Sequence, residues 1–217
     1  MTATDARPNL LGITINHRSM RGDARRFAAL VQSIADGTTV SSPARARAVE
    51  RYLTSLCTGI HHHHQAEDEV LWPVLEAAAG AEVDLTELTD DHAQLDPLLD
   101  RLRAEARALS AAPHDRAAAA RLAATLTTLR DLLDEHIDDE ERTVFPVIMR
   151  YVSHAEWERV EAAVRKGSAM SFELPRIERY ATGDELAELY RMAGPVLRLM
   201  LALVRPAFLR REKVIFG

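Results

Sequence analysis

Apolar residues return along this chain at alternating intervals of three and four, and they do so in four separate stripes. The first runs through Leu10, Ile13, His17, Met20, Ala24, Phe27, Val31 and Ile34. The second runs through Ala46, Val49, Leu53, Leu56, Ile60, His63, Glu67, Val70 and Val74. The third takes Leu85, Leu88, His92, Leu95, Leu99, Leu102, Ala106 and Leu109, and the fourth Leu122, Leu126, Leu129, Leu133, His136, Glu140, Thr143 and Val147. That period is the mark of a helix with one buried seam. Punctuation falls between the stripes. Asp36-Gly37 ends the first, Ser42-Pro43 opens the second with a cap and a proline at the first helical position, and Gly80 closes it. Asp84-x-x-Glu87 offers a capping box for the third, in which Pro97 predicts a kink rather than a break. Four stripes on short links predict an all-α, up-down-up-down four-helix bundle over residues 1–151.

A different region follows, a C-terminal helical extension over residues 152–217. Ser153-x-x-Glu156 caps a helix reaching about Lys166, and Gly167 to Pro175 is expected as a loop. Thr182-x-x-Glu185 starts another helix, and Gly194-Pro195 separates it from a last, apolar one at Val196 to Phe208. These helices are expected to pack over the bundle, to wall its interior as a lid, or to meet a second subunit in a homodimer.

The seam holds a chemical anomaly. His17, His63, Glu67, His92, His136 and Glu140 all occupy core-facing positions. Burying one unpaired carboxylate or imidazole costs on the order of several kcal/mol. Six of them require compensation, and metal ions supply it most economically. The pattern is also duplicated: His63, Glu67 and Pro73 recur as His136, Glu140 and Pro146, each 73 residues on (63 to 136, 67 to 140, 73 to 146). A His and a Glu four apart stack on one helix face and can grip an ion together. In antiparallel helices, the two early histidines and the two late ones reach one level near one end of the bundle.

Imidazole and carboxylate without thiolate suit iron, manganese or zinc. If two octahedral ions share two bridging carboxylates and a solvent oxygen, about two coordination positions stay open for a small ligand. The remaining chemistry-bearing residues read as follows. His61, His62 and His64 are expected at solvent or boundary positions, with His62 or His64 considered as pocket lining. Asp68, Glu69 and Glu141 read as a solvated face, Asp96 as a candidate ligand or acceptor, and Trp72 and Phe145 as walls of the site or core packing.

The order His17, His63-x-x-x-Glu67, His92, His136-x-x-x-Glu140, with Glu-Asp-Glu-Val-Leu-Trp-Pro and Glu-Glu-Arg-Thr-Val-Phe-Pro beside the pairs, resembles the hemerythrin-like (HHE cation-binding) family over about residues 10 to 150. The resemblance implies a non-haem di-iron centre in a four-helix bundle, with those six residues as ligands, Glu67 and Glu140 bridging, and a bridging oxygen. Iron is implied ahead of manganese or zinc. It further implies O2, peroxide or nitric oxide as the small molecule bound or consumed. Two departures stand against a pure oxygen carrier. Asp96 takes the place of a second histidine on the third helix, and His136 and Glu140 are one residue closer than in the carriers. The extension loosely resembles that of actinobacterial members. The alternatives are an iron- or oxygen-sensing module without turnover, a di-iron oxidase or oxygenase acting on an organic substrate, and a metal-free structural bundle.

Composition narrows the classes. The net charge of −6 is spread over interspersed acids and bases, which argues against a nucleic-acid partner. Cys57 is the single cysteine, so no internal disulfide exists and a reducing cytoplasm is expected, with Cys57 packed in the core. The polar stretch Met1 to Asn9 lacks a secretory pattern, and Arg198 and Arg205 interrupt the last apolar helix, so no membrane partner is expected. No nucleophile arrangement of Ser, Cys or Lys and no glycine-rich phosphate loop occurs.

Overall fold

The structure is a computed structural model that describes residues 7–217; the start of the polar N-terminal stretch, through Ala6, lies outside the described residues. Helices follow one another as α1 (Leu11–Ala35), α2 (Pro43–Ala66), a π turn (Glu67–Leu71), α3 (Trp72–Ala79), a 3₁₀ turn (Gly80–Glu82), α4 (Thr86–Ala111), α5 (Arg116–Tyr151), α6 (His154–Gly167), α7 (Met170–Tyr180) and α8 (Gly183–Phe216). No strand occurs among the described residues. The bundle packs α1 against α5, α5 against α4, and α4 against α2.

Local chemistry sets most boundaries. Ser42 Oγ accepts from the Arg45 N–H at 3.1 Å ahead of Pro43. Ser153 with Glu156 and Thr182 with Glu185 both close full capping boxes. Asp84 departs from expectation: α4 starts at Thr86, and Asp84 Oδ1 accepts from the Thr86 N–H at 3.0 Å, so no box forms with Glu87. α4 continues through Pro97 without breaking. α3 ends at Gly80, whose φ of 55° lies in the left-handed region that glycine tolerates.

The second stripe is interrupted by the π turn. Trp72 donates its N–H to the Glu67 carbonyl, five residues back, and Pro73 follows with no N–H to give. One extra residue is absorbed there without ending the helix. The equivalent Pro146 sits inside α5 with no such turn.

The residues Gly167 to Pro175 do not form the expected loop. Only Ser168 and Ala169 separate α6 from α7, and Pro175 lies inside α7. Tertiary burial overrides the proline. Phe172, Leu174 and Pro175 are buried, and Arg176 is sealed within an ionic cluster. Its Nε donates to Asp23 Oδ2 at 2.7 Å, Tyr52 OH donates to the same oxygen at 2.9 Å, and Tyr180 OH donates to Asp23 Oδ1 at 2.7 Å. α7 thereby joins α1 and α2 through one carboxylate that is fully buried.

The extension shares the bundle's core. Phe172, Phe208 and Ile215 belong to the same apolar cluster as Phe27, Leu53 and Leu99. Phe208 packs on Tyr52, roughly three turns from His63 along α2, so Val196 to Phe208 is not the lid of the polar level. That role falls to α6, whose Trp157 and Val160 pack with Leu71, Trp72 and Leu75. α8 is long and apolar enough, by length and composition, to cross a membrane. Here Gly194 breaks it at φ 66°, its inner edge buries Leu201, Phe208, Glu212 and Ile215, and Val196, Leu199 and Leu203 face outward.

The Asp23 cluster yields a stability test. Removing one partner from a buried hydrogen-bonded ion pair leaves the other charge uncompensated. Arg176→Ala is expected to lower unfolding free energy by about 3–5 kcal/mol, against about 1 kcal/mol for Tyr180→Phe, measured by urea denaturation. Equal small losses would mean that the pair carries no such weight.

Candidate metal centre

The core is split in two by a polar layer. Ile60, Leu95, Leu133 and Ile137 end one apolar cluster, and Leu71, Leu88 and Val144 begin the other. Between them lie His63 and Glu67 of α2 and its π turn, His92 of α4, His136 and Glu140 of α5, and His17 of α1. All six are buried. The levels inferred from the stripes therefore coincide.

Their donor atoms fall into two groups, each mutually within 4.8 Å. One contains His17, His63, Glu67 and Glu140. The other contains His92, His136, Glu67 and a residue the seam pattern left out, His64. Glu67 belongs to both. Its Oε1 lies 2.9 Å from His63 Nε2 and its Oε2 3.6 Å from His92 Nε2, so one carboxylate spans the groups. Glu140 Oε2 lies 3.3 Å from His17 Nε2.

The imidazoles meet in pairs through the same atom. His17 Nε2 and His63 Nε2 are 3.2 Å apart, and so are His92 Nε2 and His136 Nε2. Their outward nitrogens are held elsewhere. His17 Nδ1 bonds Glu141 Oε1 at 2.9 Å, His92 Nδ1 bonds Asp68 Oδ1 at 2.9 Å, and His136 Nδ1 bonds Asp91 Oδ2 at 3.2 Å. The Asn16 amide meets His63 Nδ1 at 3.4 Å. A carboxylate accepts only, so it fixes the Nδ1–H tautomer and leaves Nε2 as a bare lone pair. Bare lone pairs of His92 and His136 facing one another at 3.2 Å repel unless a cation lies between them, whereas His63, whose Nδ1 accepts from the Asn16 amide, keeps its proton on Nε2 and donates it toward His17. The four outer contacts also close a ring. Each comes from a residue adjacent to a ligand on one helix and holds the histidine of another: Asp68 on the π turn to α4, Asp91 on α4 to α5, Glu141 on α5 to α1, and Asn16 on α1 to α2.

Several residues stand apart from their sequence reading. Asp68 and Glu141 are imidazole acceptors rather than a plain solvated face, and Asp91, unassigned by pattern, is a third. Asp96 is neither ligand nor acceptor in the site; it pairs with exposed His61 at 2.8 Å. His62 leaves the site too, donating from Nε2 to the Val164 carbonyl at 2.9 Å. Its ring fills the space where a side chain at Gly167 would begin. His64 is the main correction: it is 3% exposed, not at a boundary. Its ring stacks on His92 at 4.2 Å between centroids, and neither nitrogen has a partner. Trp72 stacks on His92 at 6.0 Å and Phe145 on His17 at 5.9 Å, so both wall the site.

Without ions, the polar layer suppresses its own charge. Burial pushes Glu67 well above the ordinary carboxylate range, with Asp68 adding to it. Burial and the neighbouring Glu67 push Glu140 up to about 8. Burial holds His63 down at about 4, and burial with His92 holds His136 at about 4. His64 and His92 are lowered as well, chiefly by burial. The donor set fits a metal: deprotonated carboxylate and neutral imidazole are what an iron-type ion binds.

Comparison with known proteins agrees in one respect and is silent in others. The family model described as the hemerythrin HHE cation-binding domain matches residues 13–148. No curated protein and no solved structure matches the chain.

The pKa displacements set a pH profile for metal-free protein. Glu140 and Glu67 keep their protons in the folded state where the unfolded chain has lost them, so they favour folding at low pH and lose that contribution as pH rises toward about 8. The lowered histidines do the reverse: their contribution is present above about pH 6.5 and is lost as pH falls toward about 4. Stability after chelation is therefore expected to peak near about pH 6.5 and to fall on both sides, measured by thermal melts across pH. A profile rising steadily to pH 8 would contradict the buried, protonated carboxylates.

Proposed function

Because the chain belongs to the hemerythrin HHE cation-binding family, we propose that its polar layer holds two non-haem iron ions and binds or reacts with a small molecule, O2, peroxide or nitric oxide. The observation that carries this reading is Glu67, one buried carboxylate offering one oxygen to each of two imidazole groups. Bound iron would supply reversible one-electron chemistry and open coordination positions. His17, His63, His92 and His136 would hold the ions through Nε2, and Glu67 and Glu140 would bridge them. Asp68, Asp91 and Glu141 keep the imidazoles in the right tautomer and aim. Leu71, Leu88 and Val144 above the layer and Ile60, Leu133 and Ile137 below it exclude bulk water. Manganese or zinc would fit the same donors, but zinc would bring no redox chemistry.

The space beside the site favours a small molecule over an organic substrate. The cleft that reaches His136 has a volume of about 230 Å³, and Glu87, Asp91, Glu135 and Asp139 line it beside Gln94, Leu95 and Leu132. Such a mouth suits water, cations and small polar molecules rather than an apolar substrate. A sensing role has one observation of its own: α6 packs on the π turn that carries Glu67, and His62 ties α2 to the end of α6. Iron occupancy would then alter the hold of the extension on the bundle.

Anaerobic reconstitution with Fe2+ tests the reading. We expect about two irons per chain by elemental analysis. An optical band should develop on exposure to O2 or nitric oxide, and His63→Ala or Glu140→Ala should lower iron affinity about tenfold or more. Freshly purified and reconstituted protein that both lack iron would refute it. Identical protease susceptibility of residues 152–217 with and without iron would remove the sensing variant alone.

A further inference from the structure

The sequence repeat is broken at one position inside the metal layer. His63, His64 and Glu67 in the first copy correspond to His136, Ile137 and Glu140 in the second. Exchanging the copies turns the group His64, Glu67, His92, His136 into Ile137, Glu140, His17, His63. The other observed group is that set with Glu67 added and no imidazole at the Ile137 position. Ile137 is fully buried and part of the apolar cluster.

We propose that His64 is a metal ligand, the third imidazole of the His92–His136 ion. This rests on the reading above that the layer binds two ions. Three observations support it. His64 is as buried as the six seam residues, yet Nδ1 and Nε2 have no hydrogen-bond partner, which a merely structural core histidine would have found. It is surrounded by ligands rather than by donors or acceptors of its own, stacked on His92 and edge-on to His136 at 5.2 Å. Its nitrogen lies within the mutual 4.8 Å of the Glu67, His92 and His136 ligand atoms. α4 offers no alternative third imidazole, since Asp96 turns outward to His61.

The experiment compares wild type, His64→Leu and His64→Gln, each with and without 57Fe2+, by Mössbauer spectroscopy, elemental analysis and thermal melting. Wild type should show two unequal iron doublets of similar area. Both His64 variants should lose about tenfold or more in affinity at one position, or show the doublets converging. Metal-free His64→Leu should melt higher than metal-free wild type, because a partnerless buried imidazole is removed. Two irons with unchanged doublets and affinity in both His64 variants, together with a lower metal-free melt, would make His64 an ordinary core residue and overturn the assignment. A wild type that binds no iron would instead sink the di-iron reading itself.

Discussion

Seven titratable side chains lie at one level of an otherwise apolar bundle, and the structure has to neutralise them there. Each buried carboxylate or imidazole left charged and alone costs on the order of several kcal/mol. Domain stability as a whole is only about 5–15 kcal/mol, so the layer cannot be charged and unpartnered. Metal-free, it escapes by holding carboxylates protonated and imidazoles neutral, with Glu140 up to about 8 and His63 and His136 down to about 4. That escape leaves Glu67, Glu140 and His64 with unmatched polar atoms. Two cations would resolve both problems together. They replace the suppressed protons and give every converging lone pair a partner.

The outer contacts show how the layer is aimed. A helix can place a histidine toward the core, but it does not choose which ring nitrogen points inward. Asp68, Asp91 and Glu141 make that choice by accepting from Nδ1. Each sits beside one of the inner residues on its own segment and acts on the imidazole of another. Displacement of any one helix therefore moves an inner side chain and also loosens a neighbour's imidazole. The centre and the helix packing are coupled by this ring of contacts, independent of what occupies the middle.

Much of this was legible in the chain. The three-four stripes predict the bundle, and the polar residues on their seams, four of them in the recurring His-x-x-x-Glu and the others His17 and His92, mark six of the seven inner residues, because a polar group at a seam position has nowhere else to point. His64 escaped because a single-seam helix places it about 100° from His63. α2 does not have a single seam. It packs against α4, α6 and α8, so its buried arc is wide enough to enclose His64, which a four-helix picture leaves at the rim. The outer acceptors escaped for another reason: which carboxylate meets which Nδ1 is decided across helices, and local spacing carries no trace of it. α7 escaped because Pro175 and Gly167 argue locally for a loop, while the gain from burying Phe172 and Leu174 and pairing Arg176 with Asp23 is nonlocal.

The two halves of the repeat diverge in a consistent direction. The first half carries the π turn, His64, and the contact with α6; the second carries a regular helix through Pro146, Ile137, and no comparable cover from the extension. Trp72, just past the π turn, stacks on His92, while in the second half Phe145 lies over His17. The extension packs on α1 and α2, the helices of His17 and His63, whereas the added imidazole of His64 faces His92 and His136. The two groups bring together four donors each, but not the same four: one joins two imidazoles to two carboxylates, the other three imidazoles to one carboxylate. Two positions so furnished differ in charge and in ligand softness, a difference that an exact repeat of the sequence could not produce.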